Sequence, residues 1–174
     1  QWFTNNGSPK SALMNGYVAK MKGAEHPDVF CAVFEYPDLL VSWTLNYDNS
    51  YQNGWSITFQ GDQATMILDE EGYTVFAEPW KRDAAPVRAE KMPVPIEPHI
   101  QNFLDCVKSR KDPYFPVEIG HRVATVCHLG NAAIKLGRKL QWDPEKECFP
   151  GDDAANALCR VRPMRKPWTL DAPP

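Results

Sequence analysis

Proline is unevenly distributed along the 174 residues, and this distribution most constrains the fold. Only three of the 16 prolines precede residue 79, seven lie from Pro79 to Pro116, and six lie from Pro144 onward. Because proline breaks sheet ladders and helix interiors, strands fit best in the first region and helices between the later prolines. The prediction is mostly sheet over 1–78, a linker over 79–96, two helices over 97–138 and a wrapping tail over 139–174.

Five runs within the first region have the composition of β-strands. They are rich in β-branched and aromatic residues, and turn-forming pairs such as Asn53-Gly54 and Glu71-Gly72 separate them. Connections this short favour antiparallel neighbours. The runs are 29–36, 39–47, 55–60, 64–69 and 73–78, and 12–20 is a candidate edge strand.

The two faces of this sheet differ in polarity. In 39–47 the odd positions are apolar, whereas the even positions include Ser42 and Thr44. The apolar face is predicted to meet helices. The other face is predicted to be half apolar, which indicates either a partner surface or an ordinary amphipathic sheet. The residues assigned to this second face are Phe30, Phe34 and Tyr36.

Apolar spacing predicts two helices, over 97–110 and 117–138. On the second, a polar side carrying His121, Thr125 and His128 lies opposite the apolar side. Strands followed by helices indicate an α+β domain. The predicted fold is a mainly antiparallel open sheet of about five or six strands, with helices packed on one face and an extended C-terminal tail.

Composition excludes several classes of protein. The net charge is −3 and the isoelectric point is about 5.8, unlike a nucleic-acid binder with its basic face. No apolar run approaches the roughly 18–20 residues of a membrane helix. The five scattered cysteines are typical of reduced thiols. We expect no nucleic-acid or membrane partner and a cytoplasmic location, although an exported protein could share these features.

Motifs for cofactor and metal binding are missing. No G-x-G-x-x-G or P-loop motif occurs, so nothing in the sequence cradles a pyrophosphate. His121 and His128 are two helical turns apart, roughly 10 Å, which is too far to share one metal ion. Two polar features remain, the loop 47–55 and the His121 side of the second helix. The loop suits a polyhydroxylated ligand, but a solvated loop and an exposed histidine are the plain alternatives.

Residues 118–158 read EIGHRVATVCHLGNAAIKLGRKLQWDPEKECFPGDDAANAL, and residues 162–170 read RPMRKPWTL. With the sheet sequence over 28–78, these segments resemble the C-terminal part of the Gfo/Idh/MocA family (glucose–fructose oxidoreductase/inositol dehydrogenase). The resemblance covers nearly the whole chain. It rests on the combined strand order, helix pair and tail rather than on any single short motif.

The resemblance implies that this chain is one half of an enzyme. In the family, an N-terminal Rossmann domain binds NAD or NADP and carries a catalytic lysine, and a histidine acid/base precedes the sheet. Those parts are expected upstream of Gln1, so the resemblance implies no catalytic, cofactor-binding or metal-ligating residue in this chain. Residues 1–174 are then a single C-terminal substrate and oligomerisation domain, whose partner is its own Rossmann domain.

The resemblance also nominates site residues. Tyr51 and Asn53 precede the strand WSITFQ at the family's spacing and are expected on the substrate side. His121 and Arg122, at the start of the second long helix, are expected to approach the same cleft. The family's sheet commonly packs between subunits, which implies a homo-oligomer through the open sheet face that carries Phe30, Phe34 and Tyr36.

The activity implied is that of an NAD(P)-dependent oxidoreductase of the EC 1.1.1 type. It would act on a hydroxyl or carbonyl of a small sugar-like substrate, and the chain alone would be inactive. Two alternatives stay open: a self-standing binding or dimerisation module, and part of an NAD-dependent glycoside hydrolase on the same scaffold.

Overall fold

The computed structural model describes residues 7–47, 49, 54–81, 83–92, 95–159 and 164–167. The chain forms two compact units, one from 1–48 with 117–174 and one from 49–116. Strands and helices occur together, which confirms the predicted α+β class. In chain order the elements are β1 (Ser11–Tyr17), β2 (Val29–Glu35), β3 (Leu40–Asn46), β4 (Ser56–Gln60), β5 (Ala64–Asp69), β6 (Gly72–Ala77), β7 (Arg88–Lys91), α1 (Glu97–Ser109), α2 (Val117–Leu136), β8 (Leu140–Gln141) and α3 (Asp153–Leu158).

The first unit is built on an antiparallel sheet with the strand order β3-β2-β1-β8. β1 pairs with β2 from Ser11–Glu35 to Tyr17–Val29. β8 follows α2 in the chain and returns to pair with the outer side of β1. The returning strand satisfies backbone groups that β1 would otherwise leave unpaired at the sheet edge.

Helix α2 packs closely on one face of this sheet because small residues line its inner side. A Cβ added at Gly130 would lie 3.2 Å from Met14 Sδ and 3.4 Å from Phe34 Cζ, so glycine permits this approach. Burying these apolar groups supplies the main stabilisation of the unit. The buried apolar cluster comprises Ala12, Met14, Ala32, Phe34, Tyr36, Leu129, Ala132, Ala133, Leu140, Trp142, Phe149 and Ala155.

The structure corrects the face assigned to Phe30, Phe34 and Tyr36. Antiparallel pairing sets Phe30 opposite Leu45 and Phe34 opposite Val41, and directly opposite residues share a face. Phe34 is 2% exposed, Tyr36 is 7% exposed and Phe30 packs against the same cluster, so all three belong to the α2 side. The opposite face instead carries Leu13, Cys31, Val33, Ser42 and Thr44.

The second unit contains the antiparallel meander β4-β5-β6-β7 and the helix α1. Strand β7 forms inside the segment 79–96 that was predicted as a linker. Both long helices lie where the periodicity predicts them, within two residues at each end. The apolar stripe of α1 is only half-buried, since its four members are between 47% and 56% exposed. These members are Ile100, Phe103, Leu104 and Val107.

The chain after α2 is more structured than an extended tail. It forms β8 and α3, and the rings of Trp142 and Phe149 meet edge to face at 4.9 Å. The side chain of Asn156 accepts from the backbone N–H of Phe149 and donates to its carbonyl oxygen, which fixes the turn before α3. Among the described residues, no helix is long and apolar enough to cross a membrane.

Candidate functional site

The polar side of α2 lines an open cavity of about 620 Å³ in the first unit, which we call the α2 cleft. The predicted grouping of His121, Thr125 and His128 on one side of the helix is confirmed, because all three line this cleft. Residues at i, i+4 and i+7 share a helix side, which explains the grouping. The remaining lining comes from the β1–β2 connection, from β8 onward and from α2 itself: Glu25, His26, Leu129, Asn131, Ala132, Lys135, Trp142, Glu147, Leu158 and Cys159.

His121 makes a short hydrogen bond to a carboxylate of the α2 cleft. Its Nε2 lies 2.6 Å from Oε1 of Glu147, and both side chains are about half exposed. The hydrogen bond to the Glu147 carboxylate, and then its charge, raise the pKa of His121. A short bond of this kind between an imidazole and a carboxylate is charge-assisted and directional. It orients the ring within the cleft.

A buried carboxylate holds the backbone of the β1–β2 connection, which lines part of the cleft. Asp28 is 4% exposed and accepts backbone N–H groups of Ala19, Lys20 and Met21 at 2.6–2.8 Å. These bonds, led by that from Met21, lower the pKa of Asp28 to about 2. A carboxylate that accepts several backbone hydrogen bonds acts as a rigid clamp. The clamp fixes the segment that brings His26 to the cleft.

Trp142 closes the buried end of the cleft. It is 8% exposed, and its indole Nε1 is buried without a hydrogen-bond partner among the described residues. Leaving a buried donor unsatisfied generally costs about 1–3 kcal/mol. A protein tolerates such a cost where the side chain is needed for packing or for binding a ligand. Here the indole ring also packs against Phe149.

The lining combines an apolar floor with hydrogen-bonding groups at its rim. Leu129, Ala132 and Trp142 supply the apolar surface, while hydroxyl, amide, imidazole, ammonium and carboxylate groups surround it. Cavities of this size with a few placed polar groups are typical small-molecule sites. The α2 cleft can therefore bind a small polar molecule, and His121 can exchange a proton with it.

The structure separates the four substrate-side candidates. His121 lies in the α2 cleft. Arg122, its neighbour on the helix, does not line the cleft, and its Nε donates to Glu118 at 3.0 Å on the helix surface. Tyr51 and Asn53 lie outside the described residues, so their role stays a prediction.

Sequence reasoning missed Glu147, Glu25 and His26. Glu147 is 26 residues from His121, and nothing in the spacing links the two. The sequence DPEKEC over 143–148 does carry a signal. Its first two residues, Asp-Pro, predict a tight turn after β8, and such a turn reverses the direction of the chain. Among the described residues, no group of three or more His, Cys, Asp or Glu side chains is arranged to hold a metal ion.

The N-termini of α2 and α3 do not fit the pyrophosphate of a nicotinamide dinucleotide. Its pyrophosphate requires backbone N–H groups at a glycine-rich turn that opens a helix. Residues 110–116 precede α2 without a glycine, and α3 follows Gly151-Asp152, where the Asp152 carboxylate itself caps the helix by accepting from Ala155 N.

Comparison with known proteins identifies the family. A model described as the oxidoreductase family, C-terminal alpha/beta domain, of the Gfo/Idh/MocA group matches residues 32–170. The chain belongs to the Gfo/Idh/MocA oxidoreductase family. Its membership confirms the resemblance found in the sequence and makes the chain an oxidoreductase C-terminal domain. Among curated proteins, no sequence matches the chain significantly.

Solved structures share the fold at low sequence identity. A proposed oxidoreductase from Thermotoga maritima matches with a TM-score of 0.58 and 11% identity, over 78% of this chain and 41% of that one. The WlbA dehydrogenase from Bordetella pertussis, in complex with NADH and UDP-GlcNAcA, gives 0.55 and 13%, over 78% and 39%. A proposed oxidoreductase from Klebsiella pneumoniae gives 0.55 and 17%, over 87% and 48%.

These likenesses show a shared fold and no shared activity, because the sequence identities lie far below the level at which activities are shared. The present chain spans between 39% and 48% of the length of these three relatives. The matched part is thus about half of a solved relative.

Proposed function

We propose that this chain is the substrate-binding domain of an NAD(P)-dependent oxidoreductase that acts on a hydroxyl or carbonyl of a sugar-like molecule. The observation that carries the proposal is the family match over residues 32–170. The α2 cleft supports it, because its mixed apolar and hydrogen-bonding lining suits a small hydroxylated ligand. The NADH bound to the Bordetella pertussis relative supports a nicotinamide cofactor.

The cofactor would be held by a Rossmann domain of the same protein, since the N-termini of α2 and α3 do not fit its pyrophosphate. The role of the present domain is then to hold the substrate at the nicotinamide and to supply proton-exchanging groups. Cofactor enzymes divide labour in this way, with the protein binding and orienting the reacting partners. His121 is our substrate-side residue within the described part, and Tyr51 and Asn53 are further candidates.

The test compares the chain alone with a protein in which it is joined to its Rossmann domain. Reduction of NAD⁺ and NADP⁺ is followed at 340 nm with a panel of aldoses, polyols and sugar acids. We expect turnover by the two-domain protein and none by the chain alone. Turnover by the chain alone, or no turnover by the two-domain protein with any member of the panel, contradicts the proposal. Mass spectrometry of the products separates net oxidation from glycoside hydrolysis.

We also propose that the protein assembles as a homo-oligomer through the face of the β1–β3 sheet that lies opposite α2. This face mixes apolar side chains with small hydroxyl groups, and Val33 pairs there with Ser42 and Leu13. A surface of that composition suits a subunit interface that also tolerates water.

A further inference from the structure

The turn after β8 brings a carboxylate against the α2 cleft. Glu147 Oε1 lies 2.6 Å from Nε2 of His121, although 26 residues separate the two in the chain. We propose that Glu147 is a positioning residue: it holds His121 with Nε2 protonated and leaves Nδ1 to bond a hydroxyl group of a ligand in the α2 cleft. The hydroxylated ligand rests on the proposed function, whereas the action of Glu147 on His121 does not.

Glu147 lies in a turn whose backbone is held by hydrogen bonds. Asp143 Oδ1 accepts the backbone N–H groups of Glu145 and Lys146, each at 3.0 Å. The backbone N–H of Asp143 donates to the carbonyl of Cys148 at 2.9 Å and closes the turn. Glu147 itself adopts φ 49°, a left-handed conformation that is costly without a glycine. Such a conformation persists where surrounding contacts determine it, and it is frequent at functional sites.

The hydrogen bond fixes which nitrogen of His121 is available. An ionised carboxylate only accepts hydrogen bonds, so Nε2 must carry the proton toward Glu147. The Thr125 hydroxyl donates to the backbone carbonyl of His121 and not to its ring. Nδ1 therefore has no hydrogen-bond partner among the described residues, and the ring is about half exposed at the cleft. In the neutral ring Nδ1 accepts a proton or a hydrogen bond, and the carboxylate stabilises the cation that forms.

Charged groups of both signs surround His121. On α2 the neighbours Glu118 and Arg122 form an ion pair at 3.0 Å. In the cleft Glu147 faces His121 itself. The other titratable groups of the lining are Lys135 and His128 of α2, Glu25 and His26 of the β1–β2 connection, and Cys159 after α3.

The carboxylates of Glu25 and Glu147 stand against Lys135 and, when it is protonated, His121, so these four groups carry no net positive charge in either state of the ring. This balance does not favour an anion, and a neutral ligand fits it. A hydroxyl group fits His121 in both of its states, because it donates to the neutral Nδ1 and accepts from the protonated one. The ligand class is therefore a neutral polyhydroxylated molecule rather than an anionic one.

The first experiment measures the ring of His121 directly. The sequence has four histidines, so ¹⁵N-labelled imidazole signals of the chain can be assigned by substitution and titrated by NMR. We expect His121 to be an Nε2–H tautomer with a raised pKa. Glu147→Gln should lower that pKa, because the amide keeps an acceptor for the Nε2 proton but loses the negative charge. An unchanged titration in Glu147→Gln would overturn the positioning role.

The matched control is Glu145→Gln, which removes a carboxylate from the same turn but not from the cleft. It should leave the His121 titration as in the unaltered chain, and a shift as large as that of Glu147→Gln contradicts the proposal. Thermal unfolding of both variants checks the fold. A merely structural role for Glu147 would change the unfolding temperature without changing the titration of His121.

The second experiment uses D-glucose as a neutral probe and D-gluconate as its anionic counterpart. We expect glucose to shift the imidazole signals of His121 and His128. Glu147→Gln should weaken glucose binding about tenfold, because the ring that bonds the ligand loses its charged partner and the orientation that this partner fixes. Glu145→Gln should bind as the unaltered chain does. No shift with glucose, equal affinity in Glu147→Gln, or tighter binding of gluconate overturns the assigned ligand class.

The two failures are distinguishable. If the two-domain protein reduces neither NAD⁺ nor NADP⁺, the proposed function fails while the His121 titration still reports on Glu147. If the titration is insensitive to Glu147→Gln, the positioning role fails whatever the protein oxidises.

Discussion

Asp28 and Glu35 in the first unit accept several hydrogen bonds each, and both contribute to the response of the unit to acid. Asp28 accepts three backbone N–H groups, as described above. Glu35 accepts from Ser11 Oγ and from Lys139 Nζ, both at 2.8 Å, and Lys10 lies 3.4 Å away. The hydrogen bond from Lys139 is the largest cause that lowers the pKa of Glu35 to about 2.

Because both pKa values are lower in the folded chain than in the unfolded one, these carboxylates stabilise the folded state when they are ionised. That stabilisation is complete above the unfolded values of 3.8 and 4.5, and it is lost as the pH falls toward about 2. We therefore expect the midpoint of urea unfolding to fall steeply between pH 5 and 2. Asp28→Asn should lower the midpoint at pH 7 and reduce its slope in acid.

Asp38→Asn is the matched control for that substitution, since Asp38 is exposed in the same unit and makes none of these contacts. Its unfolding midpoint should follow that of the unaltered chain at every pH. If Asp28→Asn shows the same acid slope as Asp38→Asn, the clamp does not contribute to stability as described.

At the scale of elements, the predictions that rest on local signals agree with the structure. Turn pairs and strand-forming composition predict β4 and β5, and apolar spacing predicts α1 and α2, all within two residues of their observed ends. Such signals need only neighbouring residues. The segment of β7 carries no such local signal, because its sequence RAEK is mostly charged. It forms a strand because it pairs with β6.

The face of β2 could not be predicted from its own residues. Both alternating sets of VFCAVFEY contain apolar side chains, so the pattern permits either face. The register with β3 decides it by setting Phe30 opposite Leu45. The pair of His121 and Glu147 escaped prediction for a similar reason, since a tertiary return of the chain creates it.

The corrected face makes a prediction about Phe34. Phe34→Ala should lower the free energy of unfolding by about 3–5 kcal/mol, as expected for removal of a buried aromatic ring. Urea unfolding followed by circular dichroism measures it. Val33→Ala, the neighbouring substitution on the opposite face, should cost distinctly less. Equal losses at the two positions would contradict the placement of Phe34 against α2.

At the scale of the whole molecule, the proposed function divides substrate binding and cofactor chemistry between two domains. The described residues of this chain form a cleft with titratable side chains, and the N-termini of α2 and α3 do not fit a pyrophosphate. The family match covers residues 32–170, and the chain spans less than half the length of the solved relatives that we compare. The proposed division between two domains follows from these two facts together.

The proposed assembly is tested by a charge on the open sheet face. Ser42 is exposed on β3 and lies on the side away from α2, so Ser42→Arg should not disturb the core. If the face joins subunits, an arginine there brings like charges together across a symmetric interface, because each subunit presents the same patch. We expect light scattering after size-exclusion chromatography to show the unaltered chain as an oligomer and Ser42→Arg as a smaller species. Ser109→Arg, with the same exchange on the exposed end of α1, should keep the unaltered mass. A monomeric unaltered chain, or equal masses for both variants, contradicts an interface on this face.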